Sequence, residues 1–427
     1  MSTLTKQLKQ QIAGFDLRFI TESGMLAIGI AIARVLGFGF SFILARRLEP
    51  ESFGYIQYTI TLAGIVAIGT QPFVQHVLAR FVGKEAADQE RLAQTLHAIW
   101  YLLLGITALT VIVVVPLLPL GGRFSVGVMV IFFGLTLFYS YYGLARGFMA
   151  SRRLLIAYLG SNVVQIIAIV IVYQFGRSQS PMPALLIYGL SYLLPIAILQ
   201  VWKPLPLHFH LRLPDKAISL EVLRFSIPIW ISHAAYIFYA GVDILLIERH
   251  LSTAAVGTYT LTKTISAVFG FVPLGLITLL LPKVASLPKE QHASLLKRTL
   301  LLALLVNSVV FTVYALAYSW FIETFFGPAY LLPLSVMLMI ALSDILFGFH
   351  GIITAVVVGA NHPQLETISR VVIVVFAIGI GSWLIPRFGL VGAGMMMFGS
   401  GIVSILTYVV AAVLHKSRNR TLEKVAT

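Results

Sequence analysis

Runs of mostly apolar residues recur along the whole chain, from Met25 to Leu414. Each run is long enough to cross a bilayer, for which a helix needs about 20 such residues. Backbone polar groups in lipid must be bonded within their own segment, so the runs are predicted to be helical. A transmembrane β-barrel would instead show alternating segments of about 10 residues. The predicted spans are 25–44, 55–79, 97–120, 125–145, 157–175, 183–202, 226–248, 255–281, 299–322, 331–358, 366–386 and 388–414. We therefore predict an all-α integral membrane protein with about twelve transmembrane helices.

The composition leaves little water-facing surface. Charged residues make up 11% of the chain and hydrophobic residues 59%, whereas a soluble domain carries about 25% charged residues. The net charge of +14 comes from basic residues in short loops, which indicates membrane topology rather than nucleic-acid binding. No nucleic-acid partner is expected.

The Lys and Arg residues predict the orientation. One set of loops carries Arg80, Lys84, Arg91, Arg146, Arg152, Arg153, Lys203, Arg212, Lys216, Arg224, Lys283, Lys289, Lys297, Arg298 and Arg370. The opposite loops carry Arg46, Arg47, Arg123, Arg177, Arg249 and Arg387. The positive-inside rule places the richer set in the cytoplasm. Both termini, the amphipathic segment 1–24 and the tail 415–427, are then cytoplasmic.

Two stretches of the chain are similar to each other. Ile43 to Thr59 reads ILARRLEPESFGYIQYT, and Leu245 to Thr262 reads LLIERHLSTAAVGTYTLT. Aligned without gaps, Arg46 meets Arg249 and Gly54 meets Gly257. The alternative is a chance match between apolar helices joined by a short turn. We interpret the pair as a repeat that divides the chain into an N-terminal lobe, 25–202, and a C-terminal lobe, 226–414, with a cytoplasmic linker at 203–225.

Four stretches of the chain carry recognisable patterns. They are ARVLGFGFSFILARRLEPESFGYIQYT (from Ala33), GVDILLIERHLSTAAVGTYTLTKTI (from Gly241), FGPAYLLPLSVMLMIALSD (from Phe326) and GLVGAGMMMFGSGIVSIL (from Gly389). At these residues the chain resembles the polysaccharide transporter family, the Wzx-type flippases of lipid-linked oligosaccharides. That family belongs to the multidrug/oligosaccharidyl-lipid/polysaccharide exporter superfamily. The resemblance implies two six-helix bundles around a central cavity and transport by alternating access. None of the four stretches is a catalytic signature.

Charges inside the spans are the candidate functional residues, because each costs roughly 3 kcal/mol or more in lipid unless it faces a cavity or a partner. Arg34 lies near the middle of the first span, with Gly37 and Ser41 on the same helical face. We predict that it is a cavity cation for the lipid diphosphate; a structural pair with an acidic residue is the alternative.

Asp243 and Lys263 lie on neighbouring antiparallel spans that are joined by a short turn. Their rises from that turn are roughly 8 and 12 Å, so the two side chains are predicted to lie at similar depth and could pair. A structural ion pair is one interpretation. The other is that Lys263 binds substrate or Asp243 carries a coupling ion.

Asp344, near the middle of the tenth span, is a further coupling candidate or a partner for Arg34. His350 could relay protons, although a bond to a backbone carbonyl is favoured. Arg146 and Arg370, within a turn of the cytoplasmic ends, either form a basic rim for the diphosphate or extend their charges to the membrane surface.

The function that the resemblance implies is translocation of undecaprenyl-diphosphate-linked oligosaccharide repeat units to the outer leaflet, for O-antigen, lipopolysaccharide or another surface polysaccharide. The expected location is the bacterial cytoplasmic (inner) membrane. Expected partners are membrane lipid, the lipid-linked oligosaccharide and other envelope polysaccharide assembly proteins.

The alternatives are a cation-coupled exporter of drugs or small solutes, a membrane glycosyltransferase or polymerase, and a scaffold that transports nothing. Short outer loops disfavour the polymerase, and the buried charges disfavour the scaffold. The sequence has no phosphate-binding loop, no GxSxG elbow and no metalloprotease spacing. The absence of cysteine excludes disulfides and cysteine-based metal sites. No enzyme activity, cofactor or metal is therefore expected.

Overall fold

The computed structural model describes residues 17–85, 88–115, 122–202, 204–205, 214–360 and 363–426, and none of these residues lies in a strand. The first half contains α1 (Leu17–Arg47), α2 (Pro50–Val66), α3 (Ala79–Glu85), α4 (Gln89–Leu109), α5 (Gly122–Gly147), α6 (Ser151–Ile169), α7 (Met182–Leu190) and α8 (Leu193–Trp202). The second half contains α9 (Lys216–His250), α10 (Thr253–Ser266), α11 (Phe271–Ser286), α12 (Lys289–Phe325), α13 (Leu334–Gly359) and α14 (Pro363–Ala426).

Ten helical segments of the described chain are long and apolar enough to cross a membrane. The last of them, Gln364–Ala411, has 48 residues. At 1.5 Å per residue it would be about 72 Å long, more than twice the roughly 30 Å hydrocarbon thickness. Gly389 interrupts it with φ 59° and ψ −137°, a conformation that is essentially restricted to glycine. Counting its two arms separately and adding α1, which contains the predicted first span, gives twelve spans.

The second and eighth spans are broken at similar places. A 3₁₀ turn, Ala67–Gly69, follows α2, and another, Ala267–Gly270, follows α10. The second span then continues through a π-helical segment, Phe73–Leu78, into α3. The sixth span, predicted as one run, consists of the two short helices α7 and α8.

The described chain contains two compact units. One comprises residues up to Phe40 together with Val66–Ser178 and Met182–Trp230; the other comprises Ser41–Ile65, Gln179–Pro181 and the chain from Ile231 onward. The first has a core around Phe73, Phe138 and Leu199. The second has a core around Ile247, Tyr259 and Met396. The lobe boundaries of the sequence analysis stay a prediction.

Within the second unit, α2 and α10 cross at the two glycines that the repeat aligns. A Cβ atom at Gly54 would collide with the carbonyl oxygen of Thr253, and one at Gly257 would collide with the carbonyl oxygen of Pro50. Pro50 and Thr253 are also equivalent positions of the repeat. The contact is therefore symmetric under the alignment, and it brings two helix backbones together where only glycine fits.

Parts of four predicted segments lie outside the described residues: the amphipathic segment at 1–16, the end of the third span at 116–120, the inter-lobe linker at 203 and 206–213, and the tail at 427.

Candidate functional site

Asp243 and Lys263 form an ion pair between α9 and α10, with 2.5 Å between Lys263 Nζ and Asp243 Oδ2. The same carboxylate oxygen accepts a hydrogen bond of 2.9 Å from the Tyr259 hydroxyl. Lys263 Nζ also donates to the carbonyl oxygen of Ala240 at 3.1 Å. Asp243 is fully buried, whereas the Lys263 side chain is 24% exposed. The buried carboxylate is thus compensated, and the Lys263 side chain remains partly exposed.

Asp344 on α13 is connected to this pair through Ser266. The Ser266 hydroxyl contacts Asp344 Oδ2, and it lies 2.9 Å from the carbonyl oxygen of Lys263. One hydroxyl has a single proton to donate. Ser266 therefore offers that proton to two acceptors, the carboxylate of Asp344 and the carbonyl oxygen of Lys263, and it links α13 to the helix that carries Lys263.

His350 lies on α13 and bonds a hydroxyl, not the backbone carbonyl that was favoured from the sequence. Its Nε2 is 3.1 Å from Ser369 Oγ, and Ser369 Oγ is 2.8 Å from Thr407 Oγ1. The His350 ring also packs on Tyr408, with 5.2 Å between the ring centroids. This polar chain connects α13 to both arms of α14.

The basic candidates have different surroundings. Arg34 on α1 and Arg146 on α5 are exposed, and neither forms a salt bridge with any described residue. Arg370 on α14 bonds Glu366 one turn earlier, and its guanidinium lies 5.0 Å from the centroid of the Tyr236 ring. Arg370 is therefore held by partners of its own.

Among the sequence candidates, the structure brings Asp243 and Lys263 together and connects them to Asp344. The hydroxyl groups of Tyr259, Ser266 and Ser369 were missed. Tyr259 is four residues before Lys263, and Ser266 three residues after it. Because residues at these spacings lie on one helical face, the sequence held a signal for both. For Ser369 the sequence held no such signal, because its partners lie on α13 and on the other arm of α14.

Together, the fold and this site define a polytopic helical membrane protein with a charged cluster inside its membrane-spanning part. Residues 20–282 match the family described as polysaccharide biosynthesis protein. The match spans more than half of the chain, so the protein belongs to this family. No curated protein matches the chain.

Solved structures show the same fold. The chain is similar to an inward-facing multidrug resistance MATE family transporter of the MOP superfamily (TM-score 0.72, 14% identity, covering 91% of this chain and 96% of that one). It is also similar to the lipid II flippase MurJ in an inward closed conformation (TM-score 0.74, 12% identity, covering 91% and 87%). An outward-facing MATE family transporter matches with a TM-score of 0.57 and 16% identity, covering 94% and 96%. The sequence resemblance and the predicted fold class are therefore confirmed.

Proposed function

We propose that this protein is a flippase that moves undecaprenyl-diphosphate-linked oligosaccharide repeat units from the cytoplasmic to the outer leaflet of a bacterial inner membrane, for surface polysaccharide biosynthesis. The observation that carries the proposal is the family match over residues 20–282. A fold similar to that of a lipid II flippase over 91% of the chain supports it.

Arg34 supplies the first chemical argument. It is exposed near the middle of a membrane-spanning helix, where an arginine in contact with hydrocarbon costs several kcal/mol. An aqueous cavity removes this cost, and the expected alternating-access cavity provides one. A guanidinium group facing such a cavity suits a diphosphate, which it can contact through two parallel hydrogen bonds.

Lys263 supplies the second argument. An ammonium group has three hydrogens, and two of them point to Asp243 and to the Ala240 carbonyl. The third remains for a phosphate oxygen or a water molecule on the exposed side. In this proposal substrate binding draws the ammonium away from Asp243, and a proton that enters from the aqueous side and binds to the neighbouring carboxylates, Asp243 and Asp344, replaces the positive charge that is lost. Transport would then be coupled to proton movement without any covalent reaction.

The test uses purified protein in liposomes that carry a fluorescent undecaprenyl-diphosphate oligosaccharide. Protein-dependent exposure of the label on the far leaflet is the expected result. Arg34→Ala is expected to reduce its rate at least about tenfold, since a hydrogen bond to a charged group contributes roughly 1.5–3 kcal/mol. Lys297→Ala, which removes an exposed cation at the start of α12, is the matched control and should leave the rate unchanged.

Normal transport by Arg34→Ala would exclude its role in binding the diphosphate. If no label is exposed under any proton or sodium gradient, while the same liposomes take up small organic cations, the protein is instead a cation-coupled exporter. That alternative is motivated by the acidic residues Asp243, which is buried, and Asp344, which is half-buried.

A further inference from the structure

A second basic site lies in the first unit, away from the ion pair on α9 and α10. A cavity of about 540 Å³ opens between α3 and the first turns of α9. Its lining consists of Arg80, Phe81, Ala217, Leu220, Glu221, Arg224 and Phe225. This volume lies within the range of ligand pockets, about 300–1,000 Å³.

The charges around this cavity do not cancel. Glu221 is the acidic group of the lining, and it is neutralised by Lys84 Nζ at 3.1 Å and Arg91 Nη2 at 3.2 Å. Arg91 is shared with the buried Glu85, at 3.2 Å. These four side chains carry no net charge together. Arg80 and Arg224 are exposed and form no salt bridge in the described part of the chain, so the cavity has an excess of two positive charges.

An aromatic wall orients one of the two arginines. The Arg80 guanidinium lies 4.2 Å from the centroid of the Phe225 ring. Phe81 packs edge-on against the same ring, with 5.7 Å between centroids. A stacked guanidinium keeps its donor edge free and loses little conformational entropy when it binds a planar or tetrahedral anion. Phe225, which is half-buried, and the exposed Leu220 also offer apolar surface beside the charges.

Two uncompensated guanidinium groups next to apolar side chains suit a phosphate group that is attached to a hydrocarbon chain. All the basic residues of this cavity belong to the set that the positive-inside rule places in the cytoplasm. We infer that this cavity binds the phosphate group of a lipid at the cytoplasmic leaflet. The lipid is either an anionic phospholipid or a prenyl diphosphate; the second case rests on the proposed flippase function, whereas the first does not.

The experiment measures lipid binding to the full-length protein in detergent, by native mass spectrometry. Three probes with matched short chains are titrated: phosphatidylglycerol, phosphatidylcholine and a prenyl diphosphate. The test variant is Arg80→Gln with Arg224→Gln, and the control is Lys297→Gln with Arg298→Gln, which removes two exposed charges at the start of α12. Phe225→Leu keeps both charges and removes the ring under Arg80.

We expect the wild-type protein to bind one of the two anionic probes at least about tenfold more tightly than phosphatidylcholine, because each guanidinium contributes a charge-assisted hydrogen bond. The arginine double variant should lose this preference, the control should keep it within about twofold, and Phe225→Leu should show an intermediate loss. Preference for phosphatidylglycerol identifies a phospholipid site, and preference for the prenyl diphosphate identifies a substrate entry site.

Equal binding of all three probes by the wild-type protein would overturn the inference, as would an arginine double variant that behaves like the control. Because no transport is measured, failure here leaves the flippase assay unaffected, and failure of the flippase assay leaves a phospholipid site intact.

Discussion

The two halves of the repeat place side chains of opposite polarity at equivalent positions. With Arg46 aligned to Arg249, the first half has Phe40, Ile56 and Ile60 where the second has Asp243, Tyr259 and Lys263. Phe40 and Ile56 are as deeply buried as their polar counterparts. Apolar residues at these positions are thus compatible with buried helices, and burial of the equivalent helices does not require the ionic set. The difference suggests that the charges of the second half are retained for function.

The close backbone contact between α2 and α10, in contrast, involves equivalent residues of both halves. Gly54 and Gly257 make reciprocal contacts with the equivalent residues Thr253 and Pro50. Both helices therefore depend on the same small residue at the same place. The glycine contact is thus present in both halves of the repeat, whereas the ion pair of Asp243 and Lys263 is present in the second half alone. Substitutions can disturb the two features independently.

Lys263→Met should have the largest effect on stability. It leaves the carboxylate of Asp243 buried without its ionic partner, and removing one member of a buried pair typically costs about 3–5 kcal/mol. The measurement is the free energy of unfolding of the purified protein in detergent. Lys297→Met, at an exposed site, is the control; equal losses in the two variants would mean that the pair is not stabilising.

Gly257→Ala should have the next largest effect, a loss of about 1–3 kcal/mol, because the added methyl group forces α2 and α10 apart. Gly54→Ala should cause a similar loss if the contact is symmetric. Gly64→Ala is the control in α2, since no atom lies within 4 Å of the added Cβ, and it should be neutral or slightly stabilising. The thermal unfolding temperatures of the three variants distinguish glycines at a helix crossing, Gly54 and Gly257, from a glycine without close neighbours, Gly64.

Ser266→Ala should cost about 1 kcal/mol, which is typical of one hydrogen bond between membrane helices. Its effect on transport should exceed its effect on stability, because it removes the hydroxyl that connects Asp344 to the ion pair. Ser308→Ala, where the hydroxyl bonds its own helix at Leu304, is the control. Unchanged dependence of transport on an imposed proton gradient would contradict a role for Ser266 in proton coupling.

The smallest change in stability is expected when the charged cluster of the second half is replaced by apolar residues, as at the equivalent positions of the first half. Asp243→Leu, Tyr259→Phe and Lys263→Met together replace the cluster by apolar groups of similar size, which is often close to neutral, within about 1–2 kcal/mol. Transport should nevertheless be lost. A folded triple variant that still transports would show that the charged cluster is not needed for function. The difference in polarity between the two halves would then have no functional cause.

Much of the fold could be predicted from the sequence. Each span is an apolar run whose length is set by bilayer thickness, so the twelve segments are local properties of the chain. The neighbouring depths of Asp243 and Lys263 could also be predicted, because a short turn joins their helices and the rise per residue is constant. Internal breaks such as the division of the sixth span at residues 191–192 could not, since they depend on packing against other helices.

The sequence by itself determined that this chain crosses the membrane as a bundle of about twelve helices, and it supplied the family resemblance that the comparisons confirm. Only the tertiary structure decided which side chains meet. The contacts of Asp344 with Ser266, of Gly54 with Thr253 and of Arg80 with Phe225 join residues that are 78, 199 and 145 positions apart. Such contacts depend on how helices rotate and pack, and hydrophobic runs of nearly uniform composition carry little information about helix rotation.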